Sequence, residues 1–435
     1  MSDAEALMWA AERDPVLRSA FLNVTICDGP LDIARFRRRM ALVVEAFPRL
    51  RQRVVERPFG APVWRDDPAF DLDHHVRHVA LAAPGSDRQL LDLAGDLIED
   101  VFDPARPLWT FLVVEGLNGG RGALVSKLHH TITDGVGGVR MSGMFIDLAA
   151  DQDHPSLPAP PAEAPLERGP VAAVADFVGR QAGTAARVAA AAGGSLTDPV
   201  TTARAIGALL PLDRARSPLW RRRGLRRRLE ALSVDLDEVK AAAKAYGGSV
   251  NDVFVCALAE AVGAYHRARC VEVGDLRVAV PVSTRDERTA GGNAFVPTRL
   301  LVPCGDLAPE TRFALVHGRL RRARAAAAPG LISAGAGLLT AAPPLLVARL
   351  ARQQTSTVDF GASNVRGAPF ELWMAGAKIL HNHPMGPTGG TAFVATVLST
   401  AGTLDLGLSC DVAAVLDPAE LRDRIAAGFA TLLGP

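Results

Sequence analysis

Along residues 32–54, apolar side chains fall at Ile33, Phe36, Met40, Val43 and Val44, with arginines between them. A recurrence near 3.6 residues predicts an amphipathic helix that closes before Pro48. A second helix is expected over 87–101. The pattern then shortens: 110–115 and 122–128 are runs rich in Val, Leu and Phe, which predict β-strands. The second of these ends where His129 and His130 begin.

The alternation breaks at residue 151. The run DQDHPSLPAPPAEAPLERGP is proline-rich and of low complexity, the composition of a linker. Ala- and Gly-rich, weakly amphipathic stretches follow it. The chain therefore divides into an N-terminal unit over 1–150, a linker with helices over 151–212, and a C-terminal unit over 213–435. The last unit repeats the first one's mixture. Strands are expected at 232–236, 276–281, 299–303, 376–380 and 393–399, and helices at 236–246, 251–267 and 417–433. Strands interleaved with helices in both halves imply two layered α/β domains. A length of 435 residues also suits two cores better than one.

Charge and composition exclude several functions. With 48 basic and 47 acidic residues the net charge is +1, so no global field draws nucleic acid. Aromatic residues make up 5%, too few for a base-stacking platform. The five cysteines are scattered and form no CxxC pair, which argues against a zinc cluster or a disulfide framework and suits a reducing compartment. The N-terminus lacks a signal-peptide core, and a cytoplasmic location is expected. Residues 325–348 carry no charge, yet contain Pro329, Pro343 and Pro344, a poor composition for a membrane span. Arginines at 221–223 and 226–228 suit phosphate forks, anionic lipid or simple solvation.

The densest chemistry lies in His129-His130-Thr131-Ile132-Thr133-Asp134-Gly135. A histidine near its ordinary pKa of about 6.5 can take a proton from an alcohol, amine or thiol at neutral pH. Asp134 and Gly135 suit a turn. Three readings of the local chemistry stay open: a general base, a structural turn, and a metal site. Adjacent histidines on an extended segment point opposite ways, which disfavours joint ligation. No GxSxG elbow accompanies the run, so direct transfer is favoured over an acyl-enzyme.

HHxxxDG resembles the signature of the CoA-dependent acyltransferases and peptide-synthetase condensation domains. Further runs narrow the resemblance to the bacterial wax ester synthase/diacylglycerol acyltransferase family: Pro107-Leu108-Trp109, Ser249-Val250-Asn251-Asp252-Val253, Pro281-Val282-Ser283-Thr284-Arg285 and Ser363-Asn364-Val365-Arg366-Gly367. They lie in order along nearly the whole chain. The resemblance implies two chloramphenicol-acetyltransferase-like domains with an active-site channel between them. It implies His130 as catalytic base, His129 as its support, and Asn251 near the reaction centre as an oxyanion donor. Asp134 and Gly135 would shape the loop, with Arg285 as the ion-pair partner of Asp134. Asn364, Gly367 and Trp109 would lie along the substrate channel, although a buried tryptophan beside a strand equally serves packing. No metal or cofactor is implied; acyl-CoA is a co-substrate. The other partner is a hydroxylated lipid or small-molecule acceptor, with peripheral association with the inner face of a membrane or with lipid droplets. Two alternatives remain: an acyltransferase or condensation-type enzyme working on a specialised metabolite, and a non-catalytic lipid-binding homologue, which would have no reason to keep His130.

Overall fold

The computed structural model describes residues 1–57, 61–133, 135–152, 214–283, 295–326 and 344–434. Helix α1 (Asp3–Ala11) begins on a capping box between Ser2 and Glu5. Helix α2 (Ile33–Ala46) buries the four residues its periodicity selects, Phe36, Met40, Val43 and Val44, and the Asp32 carboxylate accepts the Arg35 N–H at its start. After the short α3 (Leu72–His75) comes α4 (Asp87–Glu99), opened by a Ser86–Gln89 capping box. Its buried face, Leu90, Leu91, Ala94 and Leu97, again follows helical spacing.

The first sheet contains β1 (Ala20–Cys27), β4 (Val76–Ala80), β5 (Trp109–Glu115) and β6 (Gly122–His129). It also takes β11 (Trp373–Met374) and β12 (Ala377–Met385), giving the order β11-β12-β1-β6-β5-β4. A separate hairpin pairs β2 (Gln52–Val55) with β3 (Val63–Asp66). The second sheet holds β7 (Arg227–Asp235), β8 (Asp275–Ser283), β9 (Phe295–Pro303) and β10 (Phe360–Arg366). With β13 (Phe393–Thr400) and β14 (Thr403–Asp411) its order is β7-β14-β13-β10-β8-β9.

Helix α5 (Gly135–Ser142) follows β6 and touches β10; α6 (Leu236–Ala245), α7 (Val250–Arg267), α8 (Pro309–Ala326) and α10 (Pro418–Leu433) cover the second sheet, and α9 (Pro344–Thr355) packs on α1. Helix α7 is buried almost all round, between the sheet and α10, which explains its run of Val253, Phe254, Val255, Cys256, Ala257 and Leu258. No helix among the described residues is long and apolar enough to cross a membrane. Most of the uncharged 325–348 stretch lies outside those residues, as does most of the 151–212 segment.

The two mixed α/β sheets correspond to the expected two domains, with one revision. Strand β12 comes from the C-terminal half but pairs antiparallel with β1, placing Val24 opposite His383. It also packs against β13 and β14 of the second sheet. A side chain at Gly407 of β14 would meet the Pro384 carbonyl oxygen at 2.1 Å, so only glycine lets the two sheets approach here. Strand 376–380 thus extends to Met385, and 232–236 extends back to Arg227, because each has a partner strand over the added length.

Arginines fasten the same seam. Arg88 of α4 bridges Glu230 at 2.9 Å, and Arg228 reaches Asp92 and Glu230, both at 3.0 Å. The Arg227 N–H donates to Glu99 at 2.6 Å. Of the arginine-dense run, Arg223, Arg227 and Arg228 therefore serve the fold, while Arg221, Arg222 and Arg226 are more open to solvent.

Candidate functional site

Strand β6 is central in the first sheet and buried along its whole length, so its end is held from both sides by β1 and β5. His129 is its last residue, and His130 begins the turn that leads to α5. The two histidines have different surroundings.

His129 is 2% exposed. Its Nδ1 lies 2.7 Å from Thr131 Oγ1 and accepts the Thr131 backbone N–H at 3.1 Å. Since Nδ1 accepts, the neutral ring carries its proton on Nε2, which points at Glu12 Oε1 2.6 Å away. The same Glu12 oxygen accepts the Ser19 N–H at 2.6 Å. Burial alone would raise the Glu12 pKa, but the hydrogen bond and electrostatic attraction of the His129 N–H and the Ser19 amide outweigh it and hold the carboxyl below its usual range. Both ring nitrogens are thus committed to the fold. The sequence reading set His129 beside His130 as its support, and the hydrogen bonds of its ring run to Thr131 and Glu12.

His130 is half-buried. Its backbone N–H donates to the Ser19 carbonyl at 3.2 Å, and its ring lies 5.0 Å from that of Phe21 in β1. The turn leads into α5, which Gly135 opens and which packs against β10 of the second sheet. The histidine turn therefore lies where the two halves meet. Asp134 and Arg285 fall outside the described residues, and their pairing with them.

The other sequence candidates are distributed over both halves. Asn251 is the second residue of α7. Ser249 and Asp252 form the capping box there, so Asn251 is not the cap and its amide takes no part in that exchange. Asn364 is exposed on β10, opposite Val397 of β13. Gly367 follows β10, where a Cβ would come within 2.8 Å of the Ser399 carbonyl oxygen. Strand β10, which carries the SNV run, touches α5, while Asn251 stands half-buried on α7.

Trp109 is fully buried, and its expected place along a channel does not fit that burial. Its indole N–H donates to the Leu50 carbonyl at 2.7 Å and its ring stacks on His75 at 4.6 Å. His75 Nδ1 donates to the Trp109 carbonyl at 2.8 Å, and burial pushes the His75 pKa down to about 4. The His74–His75 run is therefore packing around Pro107-Leu108-Trp109, without acid–base work at neutral pH. Asp359, for which the sequence offered no role, is fully buried and accepts backbone N–H groups from Ser217 and Arg277 at 2.7 and 2.8 Å.

Sequence reasoning missed Glu12, Ser19 and Phe21, which surround the histidines. It also passed over Lys127, two residues before His129 on the same face of β6. Lys127 is 2% exposed, donates to the Asp100 carbonyl at 2.7 Å and sits 4.3 Å over the Phe102 ring. Burial lowers its pKa to about 8. A cavity of about 500 Å³ is lined by Arg35, Arg38 and Arg39 of α2 with Phe145 and Asp147; none of its walls belongs to the histidine turn.

Two mixed sheets flanked by helices, with a histidine turn where they meet, define a two-domain α/β protein. Residues 1–254 match the wax ester synthase/diacylglycerol acyltransferase catalytic domain, and residues 291–433 match the C-terminal domain of the same family. The chain belongs to that family and is an acyltransferase. A Mycobacterium tuberculosis protein provisionally named a diacylglycerol O-acyltransferase is 34% identical over 100% of this chain and 91% of its own. A second M. tuberculosis protein with the same kind of name is 30% identical over 94% of this chain and 90% of its own. Among solved structures, the wax ester synthase/diacylglycerol acyltransferase of Marinobacter aquaeolei VT8 superimposes with a TM-score of 0.69 at 22% identity, covering 99% of this chain and 97% of that one. The first condensation domain of the calcium-dependent antibiotic synthetase superimposes with a TM-score of 0.61 at 18% identity, covering 100% and 96%. Those two likenesses speak for the fold alone.

Proposed function

We propose that this acyltransferase moves a fatty acyl group from acyl-CoA to the hydroxyl of a long-chain alcohol or diacylglycerol, with His130 as general base and no acyl-enzyme. The observation that carries the assignment to His130 is the commitment of both His129 nitrogens to Thr131 and Glu12. His130, next in sequence and half-buried at the meeting of the two halves, is the histidine positioned to work on a substrate. The relatives' names support the choice of acceptor.

In the proposed step His130 takes the hydroxyl proton as the acceptor oxygen attacks the thioester carbonyl. The tetrahedral oxyanion is stabilised by Asn251 or backbone amides, an interaction worth about 3–4 kcal/mol where it has been measured by removing one donor. Collapse breaks the carbon–sulfur bond, and the CoA thiolate leaves with the proton returned by His130. No group of the protein forms a covalent bond to the acyl chain. Asn364 and Gly367 would border the acceptor path between the halves. For docking at a lipid surface, Leu345 and Leu346 at the start of α9, 69% and 47% exposed, offer apolar area.

The test is a mass-spectrometric screen of acyl-CoAs against fatty alcohols, diacylglycerol and amines, with rapid quenching of the protein. Ester products with an unmodified protein mass are expected. An acyl adduct on the protein during turnover would overturn direct transfer, and amide products without esters would overturn the acceptor class.

A further inference from the structure

On a strand, residues two apart face the same side. His381 and His383 of β12 do so, and their rings stack at 5.7 Å with planes 18° apart. Facing them from β14 is Asp405, fully buried where β12 leaves the second sheet for the first. A ligand atom from each of the three lies within 4.8 Å of the other two. We propose that His381, His383 and Asp405 form a binding site for one divalent transition-metal ion of the zinc type, joining the crossing strand to the second sheet.

The hydrogen bonds around the trio match what such an ion needs. His383 Nδ1 donates to the Leu406 carbonyl at 3.1 Å, which fixes the tautomer and leaves its Nε2 lone pair available to ligate. Ser233 Oγ donates to Asp405 Oδ1 at 2.5 Å, and the Asn382 N–H donates to Oδ2 at 2.7 Å, orienting the carboxylate without exhausting its lone pairs. His381 Nδ1 stands 3.1 Å from Asp405 Oδ1. Ligands at about 2.1 Å from one ion lie roughly that far apart when the angle at the ion is near 95°. The ion takes the place of the proton between these two atoms; a neutral His381 then carries that proton on Nε2, and a charged one gives it to solvent. His381, 39% exposed at its side chain, gives the entry path and room for the last small closure toward His383. Two imidazoles and a carboxylate suit Zn²⁺ and its neighbours over Ca²⁺ or Mg²⁺, which prefer all-oxygen shells.

The test uses the full chain stripped with a chelator and carrying Cys270→Ser, because Cys270 is exposed and its thiolate can bind zinc by itself. Zn²⁺ alone is titrated against a chromophoric competitor, and calorimetry gives the number of ions bound per chain. One ion per chain and a rise in Tm are expected. His381→Ala, a change at a partly exposed side chain whose fold is checked by circular dichroism, should weaken binding at least 100-fold and abolish the Tm shift. His383→Gln should do the same. Failure of the parent to bind one ion, or unchanged affinity in His381→Ala, overturns the proposal.

Discussion

Glu12→Gln isolates the anchor beneath the histidine turn. The Glu12 carboxylate accepts from His129 and from the Ser19 amide, both at 2.6 Å, and its side chain is 20% exposed. Hydrogen bonds to a charged group contribute about 1.5–3 kcal/mol and neutral ones about 0.5–1.5 kcal/mol. The introduced amide keeps an acceptor oxygen but loses the charge, so each bond weakens by roughly 1 kcal/mol and the variant by about 2 kcal/mol at pH 7. The sign with pH is fixed by the lowered pKa of Glu12 in the folded state. Its contribution is complete above the unfolded glutamate value of about 4.3 and fades as pH falls through the folded value. Urea unfolding at pH 7, 5 and 3 should therefore show a gap between parent and variant that is constant from 7 to 5 and narrows at 3. Turnover should fall roughly tenfold at unchanged KM, since a loosened His129 lets the adjoining base drift. A variant as stable as the parent at pH 7, or a gap that does not shrink in acid, would refute the anchor.

Three other perturbations probe separate parts of the account. Trp109→Ala removes a fully buried ring and its bond to Leu50, and should cost about 3–5 kcal/mol in denaturant unfolding; a cost below about 1 kcal/mol would return Trp109 to a channel role. Lys127 is lowered to about 8 by burial, against about 10.4 when unfolded, so the unfolded chain binds more protons between those values and stability rises with pH across them. Lys127→Met should remove that rise, as read by unfolding at about pH 7.5 and 9.5; an identical slope in the variant would show that Lys127 is not the titrating group. Asn251→Ala should lower kcat by more than it raises KM, and an effect on KM alone would move Asn251 from the oxyanion to binding.

How much of this was legible in the sequence depends on the range of the interaction. Helix α2 could be read to within a few residues because its burial face repeats locally and Asp32 caps it in place. Strand β1 does alternate, with Leu22, Val24 and Ile26 in one core and Asn23 and Thr25 on the other face, but a strand this short was passed over. Its partner β12 lies some 350 residues away, and no local pattern announces that pairing. The same holds at the site. HHTITDG marked the turn, but the division of labour between its histidines depends on Glu12, 117 residues upstream of His129. Strand β10, which carries Asn364, packs on α5 beyond the turn, a contact between halves that spacing cannot express. The arginine run at 221–228 left phosphate, lipid and plain solvation open, yet three of its members close on Glu99, Asp92, Glu230 and the Gly390 carbonyl, partners supplied only by folding.

The central claim is that His130, and not His129, moves the proton. It is tested most directly by the steady-state rate of CoA thiol release for His130→Ala, with acyl-CoA and the acceptor identified in the product screen. The fold is checked by circular dichroism and urea unfolding. The account predicts a loss of at least about a thousandfold in kcat/KM, within the range general-base catalysis supplies, with the unfolding midpoint close to that of the parent. His129→Ala, by contrast, should show its main effect in stability. Near-parental turnover by a folded His130→Ala enzyme would contradict the account.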